Sequence, residues 1–126
     1  MKLRVFLPTR ILLEREVATV TARGPNGAFG LRPRHIDMVS ALAPGLLGYR
    51  RSAETDEEFV AVDRGILVKQ GDEVRVSVRN AVADAPLEEL SELVDQHFAV
   101  LDEQERKVKS AVARLEADFL RRFMEI

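Results

Sequence analysis

All seven glycines and all five prolines of this 126-residue chain lie at or before Pro86, and the forty residues that follow contain neither. Glycine and proline punctuate a backbone that must turn often, whereas a long stretch free of both suits a helix. The chain therefore divides into two parts, predicted as a domain over residues 1–84 and a helical arm over 85–126. The predicted fold class is mainly β with C-terminal α, an N-terminal antiparallel β-sandwich followed by a long helix or a helical hairpin.

Strand signals fill the first part. Leu3, Val5 and Leu7 alternate with Lys2, Arg4 and Phe6; Val17 to Ala22 is β-branched; Val74, Val76 and Val78 alternate with Arg75, Ser77 and Arg79. Asp63 to Val76 reads as two short strands joined at Gly71, and Tyr49–Arg51 is expected to pair with Glu58–Val62 across an acidic loop. Turn signals at Pro25-Asn26-Gly27, Pro44-Gly45, Ser52 to Asp56 and Gln70-Gly71-Asp72 are spaced as in a sandwich with hairpin connections. The densest turn chemistry is Gly24-Pro-Asn-Gly27-Ala-Phe-Gly30-Leu-Arg-Pro33-Arg-His35, where Gly27 and Gly30 are expected to need positive φ or close backbone approach.

In the second part Asp84 is placed to cap and Pro86 to open the first turn, with Glu88, Glu89 and Glu92 near the positive end of the helix dipole. Leu87, Leu90, Val94, Phe98 and Leu101, then Val108, Val112, Leu115, Phe119, Phe123 and Ile126, follow helical steps and predict one apolar seam. Only Asp102 to Lys107 interrupts it, and those residues are mostly good helix formers, so an unbroken helix of roughly 40 residues and ~60 Å is favoured over a hairpin.

Several function classes are excluded or weakened. Without cysteine there is no disulfide framework, thiolate metal site or cysteine nucleophile, which fits a reducing compartment. The start, Met-Lys-Leu-Arg-Val-Phe-Leu-Pro, lacks a signal peptide's apolar core, and no stretch approaches the ~18 apolar residues of a membrane span. Membrane contact is expected to be indirect. Up to Ala85 there are thirteen basic against eleven acidic residues, and from Pro86 on six against ten. Such a balance argues against a nucleic-acid binder, for which a domain pI above ~9 is expected. Arg32, Arg34, Arg50 and Arg51 form either a local positive patch or ordinary solvated strand ends. His35-Ile-Asp37 is too sparse for a zinc site, and His97 lies in the helix with no second ligand. His35 suits a turn residue bonded to backbone or a contact at a subunit interface. Gly24 to Gly30 lacks the Lys-Ser/Thr of a phosphate loop, so no catalytic residue, metal or cofactor is expected.

Gly24, Gly27, Phe29, Gly30, Pro33 and His35, the Gly65–Gly71 strand pair and the closing helix resemble, in that order, the ε subunit of F-type ATP synthases. The resemblance implies a non-catalytic central-stalk subunit that turns with the rotor, packs on the γ subunit and rests on the membrane ring of c subunits, at the cytoplasmic face of the bacterial inner membrane. Gly24, Gly27, Gly30, Pro33 and Gly65 are then structural turn positions, and Ala28, Phe29, Arg32, Arg34 and His35 meet the c-ring. Ala28 stands where the family commonly has an acidic residue. The tail restrains ATP hydrolysis in many bacteria, which makes Arg106, Lys107, Lys109, Arg114, Arg121 and Arg122 a regulatory face toward the catalytic α and β subunits. Members that bind ATP use an arginine near the start of the first arm helix; here none precedes Arg106 in the arm, so no nucleotide is expected. The short, loopless tail is similar to that of the alternative N-type ATPases, ion pumps driven by ATP. A rival reading is a free-standing sandwich module that dimerises through its arm, and a remote third is an enzyme acting through His35 and Asp37.

Overall fold

The computed structural model describes residues 1–124 and, along the last helix, the side chains of 99, 100, 103–108, 110–115 and 117. Ten strands form two five-stranded sheets. One has the order β2 (Ile11–Glu16), β1 (Lys2–Phe6), β9 (Glu73–Val78), β8 (Gly65–Gln70), β5 (Met38–Leu42). The other has the order β10 (Ala81–Val82), β7 (Glu58–Val62), β6 (Gly45–Arg50), β3 (Thr19–Gly24), β4 (Gly27–Leu31). Every pair is antiparallel except β1 with β9, which run parallel and come from opposite ends of the sandwich sequence.

Alternation explains the packing. In β9 the side chains of Val74, Val76 and Val78 turn inward while Arg75 and Ser77 face out, and β3 buries Val20 and Ala22 in the same way. With Leu3, Val5, Leu31, Leu47, Val60 and Leu67 they form the core between the sheets. Strand β3 begins two residues later than the β-branched run, because the Val17 and Ala18 amides bond to the Met1 and Arg50 carbonyls, at 2.8 and 2.7 Å. Two glycines constrain the β8–β9 hairpin. Gly71 opens the β8–β9 turn at φ +57°, and a Cβ on Gly65 would overlap the Ser77 carbonyl oxygen of the paired strand.

The chain leaves β10 through Asp84 at φ +59° and enters α1 (Leu87–Leu93). The expected capping does not occur: Pro86 occupies the cap position, its carbonyl accepting the Leu90 N–H at 3.1 Å, and no side chain caps the helix. Asp84 instead takes the left-handed turn that redirects the chain, which Asp tolerates better than most residues. From α1 the helix continues through one π-helical turn, Val94–Phe98, into α2 (Ala99–Met124). No hairpin forms, in keeping with the lack of Gly and Pro.

Leu90, Val94 and Phe98 are buried on the outer face of β6 and β7, against Ala61 and beside Leu46 and Phe59. Strand β7 is therefore apolar on both faces, Val60 and Val62 toward the sandwich core and Ala61 toward the helix. The predicted single seam is not continuous in burial: Leu87 is 43% exposed, and Val108, Val112 and Leu115 are 63, 47 and 69% exposed. Leu101, Phe119, Phe123 and Ile126 lie outside the residues whose side chains are described.

Candidate interaction surfaces

The β3–β4 hairpin sets Gly24 opposite Gly27 and Thr21 opposite Gly30. Gly27 has φ +117°, where a side chain is strained. At Gly24 a Cβ would press on the Phe29 ring at 3.3 Å and the Ser40 hydroxyl at 3.3 Å. Gly30 differs from expectation, for it lies in the extended run of β4 with the nearest neighbour of a Cβ, the Val20 carbonyl oxygen, 4.0 Å away. Spacing alone does not distinguish a turn glycine from a strand glycine.

Beyond β4 the segment 32–37 folds as a tight loop. The His35 amide bonds to the Arg32 carbonyl at 2.9 Å, and His35 Nδ1 donates to the Ile36 carbonyl at 2.9 Å in the matching tautomer. Beneath it lies Lys69, buried to 1% exposure on β8. Its ammonium donates to the carbonyls of Pro33 at 3.3 Å, His35 at 3.0 Å and Gly71, while the Asp37 carboxylate accepts the Gly71 N–H at 2.8 Å. One buried cation thus ties the loop to the β8–β9 turn by charge-assisted bonds. His35 and Asp37 are both engaged with backbone rather than with each other. Sequence reasoning missed Lys69, although alternation with inward-facing Leu67 marks its position as buried.

Of the other singled-out residues, Ala28, Arg32, Arg34 and His35 are exposed and Phe29 leans on the core. Arg32, Arg34 and Arg50 line one groove, whereas Arg51 turns away to Glu58, with bonds of 2.8 and 3.2 Å that hold the guanidinium pKa above its ordinary value. A separate apolar surface covers the outer face of β5 and β8, where Val39 pairs with Val68 and Ala41 with Ile66. Val39 and Ile66 there are 71 and 53% exposed, and Ile36 in the preceding loop is 77% exposed.

The arm touches the sandwich a second time through charge. Glu105 reaches Arg64 and Arg79, each at 2.6 Å, and Arg79 also faces Asp63 at 3.7 Å. Asp63 is buried, accepting the Arg64 amide at 2.7 Å and the Asn80 side-chain amide at 3.2 Å. Arg106, Lys107 and Arg114 are exposed, with Lys107 3.6 Å from Glu103. The side chains of Lys109, Arg121 and Arg122 lie outside those described. His97 is exposed on the π-helical turn.

Residues 1–84 match the family model for the β-sandwich domain of the ATP synthase delta/epsilon chain. The chain belongs to that family. It is 32% identical to an ATP synthase epsilon chain 2 from Cereibacter sphaeroides, over 97% of this chain and 84% of that one. It is also 32% identical to the ATP synthase epsilon chain of Moorella thermoacetica, over 93% of this chain and 87% of the relative. Epsilon chains are non-catalytic subunits of the rotary complex, so the enzyme reading through His35 and Asp37 has no place in the family. The fold recurs in the Euglena gracilis mitochondrial ATP synthase, with a TM-score of 0.60 at 23% identity over 69% of this chain and 56% of that one. It recurs too in the central stalk and c-ring of the Tetrahymena thermophila enzyme, at a TM-score of 0.56 and 15% identity over 66% of each chain. No described helix is long and apolar enough to cross a membrane.

Proposed function

We propose that this subunit works as a rotor element of an F-type ATP synthase or ATPase, packed on the γ subunit and seated on the c-ring at the cytoplasmic face of a bacterial inner membrane. Family membership over the whole sandwich carries the reading. The apolar outer face of β5 and β8 supplies a surface for γ: Val39 and Ile66 lie exposed on paired strands at a sheet edge where a monomer would ordinarily place polar groups. The loop edge with Ala28, Phe29, Arg32, Arg34 and His35 meets the c-ring, held rigid for that purpose by Lys69. Residues 85–126 act as an arm, and its basic side chains, Arg106, Lys107, Lys109, Arg114, Arg121 and Arg122, face the catalytic α and β subunits when it regulates hydrolysis.

The deciding experiment mixes the chain with γ from the same organism. Association at micromolar concentration, weakened by Val39→Lys, supports the assignment; a stable homodimer indifferent to γ overturns it in favour of the scaffold reading. Truncation after Asp102 separates the arm's role, since hydrolysis by the assembled complex rises if the arm restrains the rotor and stays unchanged if it does not.

A further inference from the structure

On the open face of β3 and β4 lies a groove of about 680 Å³ into which three arginines, Arg32, Arg34 and Arg50, converge. Its volume falls within the range of small-ligand sites, about 300–1,000 Å³. Strand backbone makes its floor, and two features keep that floor open and polar: Gly30 offers no side chain, and Thr21 opposite it supplies a hydroxyl.

The charge in the groove is one-sided. Among the described residues no carboxylate lines it, and neither Arg32 nor Arg34 has an ion-pair partner. Arg50 is held in place by one bond, its guanidinium donating to the Thr55 carbonyl at 2.8 Å, which leaves further N–H groups for a ligand. Arg51 next to it shows the contrast, because it is neutralised by Glu58 and lies outside the groove. Guanidinium forks match tetrahedral oxyanions in geometry as well as charge, and three cations gathered without a counter-charge repel one another until an anion joins them.

We propose that the groove binds a phosphate group, carried either by a small soluble molecule or by a lipid headgroup. Such binding needs neither γ nor a c-ring, so it stands or falls separately from the rotor assignment, and the isolated full chain is sufficient to test it. In the soluble arm, pyrophosphate is titrated at low and constant ionic strength while amide shifts of Gly30, Arg32 and Arg34 are followed by NMR. In the lipid arm, the chain is sedimented with phosphatidylglycerol vesicles and with phosphatidylcholine vesicles.

Saturable shifts confined to the groove are expected, with Arg34→Gln and Arg50→Gln each weakening affinity about tenfold, as for loss of one charged hydrogen bond. Arg51→Gln is expected to bind as the unaltered chain does. Arg34→Gln guards against misfolding in the Arg50 variant, since Arg34 makes no contact that the sandwich depends on. Pyrophosphate binding with this pattern makes a soluble ligand the source, and the same pattern seen only with phosphatidylglycerol makes it the headgroup. No binding in either arm, or weakening by Arg51→Gln equal to that by Arg34→Gln, overturns the site.

Discussion

The sandwich and the arm are held by different means. In the sandwich, inward side chains from both sheets close the core, and the close backbone approach at Gly65 together with the positive φ of Gly71 constrains the β8–β9 hairpin. The arm is fastened by three buried residues near its start and one group of ion pairs at Glu105, about half-way along, and beyond them its described apolar side chains stand in solvent. Burial on that scale fixes one end of a helix without fixing the other. A protein built this way is expected to lose its arm long before it loses its sandwich.

The strongest way to break the comparison is Gly65→Ala, whose Cβ must displace the Ser77 backbone. The cost is expected at about 3 kcal/mol or more, seen as a lower midpoint of cooperative urea unfolding. Phe98→Ala should cost about 3 kcal/mol locally, but on arm docking rather than on the sandwich. Faster hydrogen exchange along α1 and α2 with an unshifted main transition would sharpen the distinction; a shift of that transition equal to the local loss would erase it. Lys69→Met, which leaves the Pro33, His35 and Gly71 carbonyls without their donor, should cost about 2 kcal/mol. Its signature is early exchange of the Gly71 amide, with the arm unaffected.

Smallest is the acid response. Glu14 is held below its ordinary pKa by the bond and charge of Lys2, and Glu73 likewise by Arg75. Their stabilisation is present above the ordinary carboxylate range and is lost as pH falls through the lowered values, so acid should weaken the β2-β1-β9 side of the sandwich slightly. Thermal melts at falling pH, with Glu14→Gln and Glu73→Gln as controls, check this: the double variant should show a flatter acid limb.

The change from strands to helix was readable from where glycine and proline stop, and β1 and β9 from their alternation. Strands β2 and β4 were harder. Ile11-Leu-Leu-Glu-Arg-Glu16 has the composition of a helix, and Gly27-Ala-Phe-Gly-Leu31 contains no β-branched residue; both are strands because neighbours supply the ladder. Lys69 was invisible to any rule that puts lysine outside, since two of its three partners are carbonyls 34 and 36 residues away that only the fold brings near. Asp84 looked like a cap because capping and left-handed turns draw on the same residue types. For the interaction surfaces, sequence named Arg32, Arg34 and Arg50 together with Arg51; only strand alternation and the acceptor Glu58 separate the last from the others.

The π-helical turn at Val94–Phe98 has a geometric consequence for everything after it. Along an ideal α-helix, where each residue advances 100°, Leu90, Val94 and Phe98 would share a stripe with Val108, Val112 and Leu115. A turn closed by an i to i+5 bond holds close to one extra residue, so the downstream helix lags by an angle on the order of 100°. Arg106 rotates to the side of the sandwich, beside Glu105, which stays within reach of Arg64 and Arg79, while Val112 and Leu115 rotate off it. The stripe that looks continuous when written as letters is split in azimuth, one half addressed to the chain's own sheet and the other to a different bearing altogether.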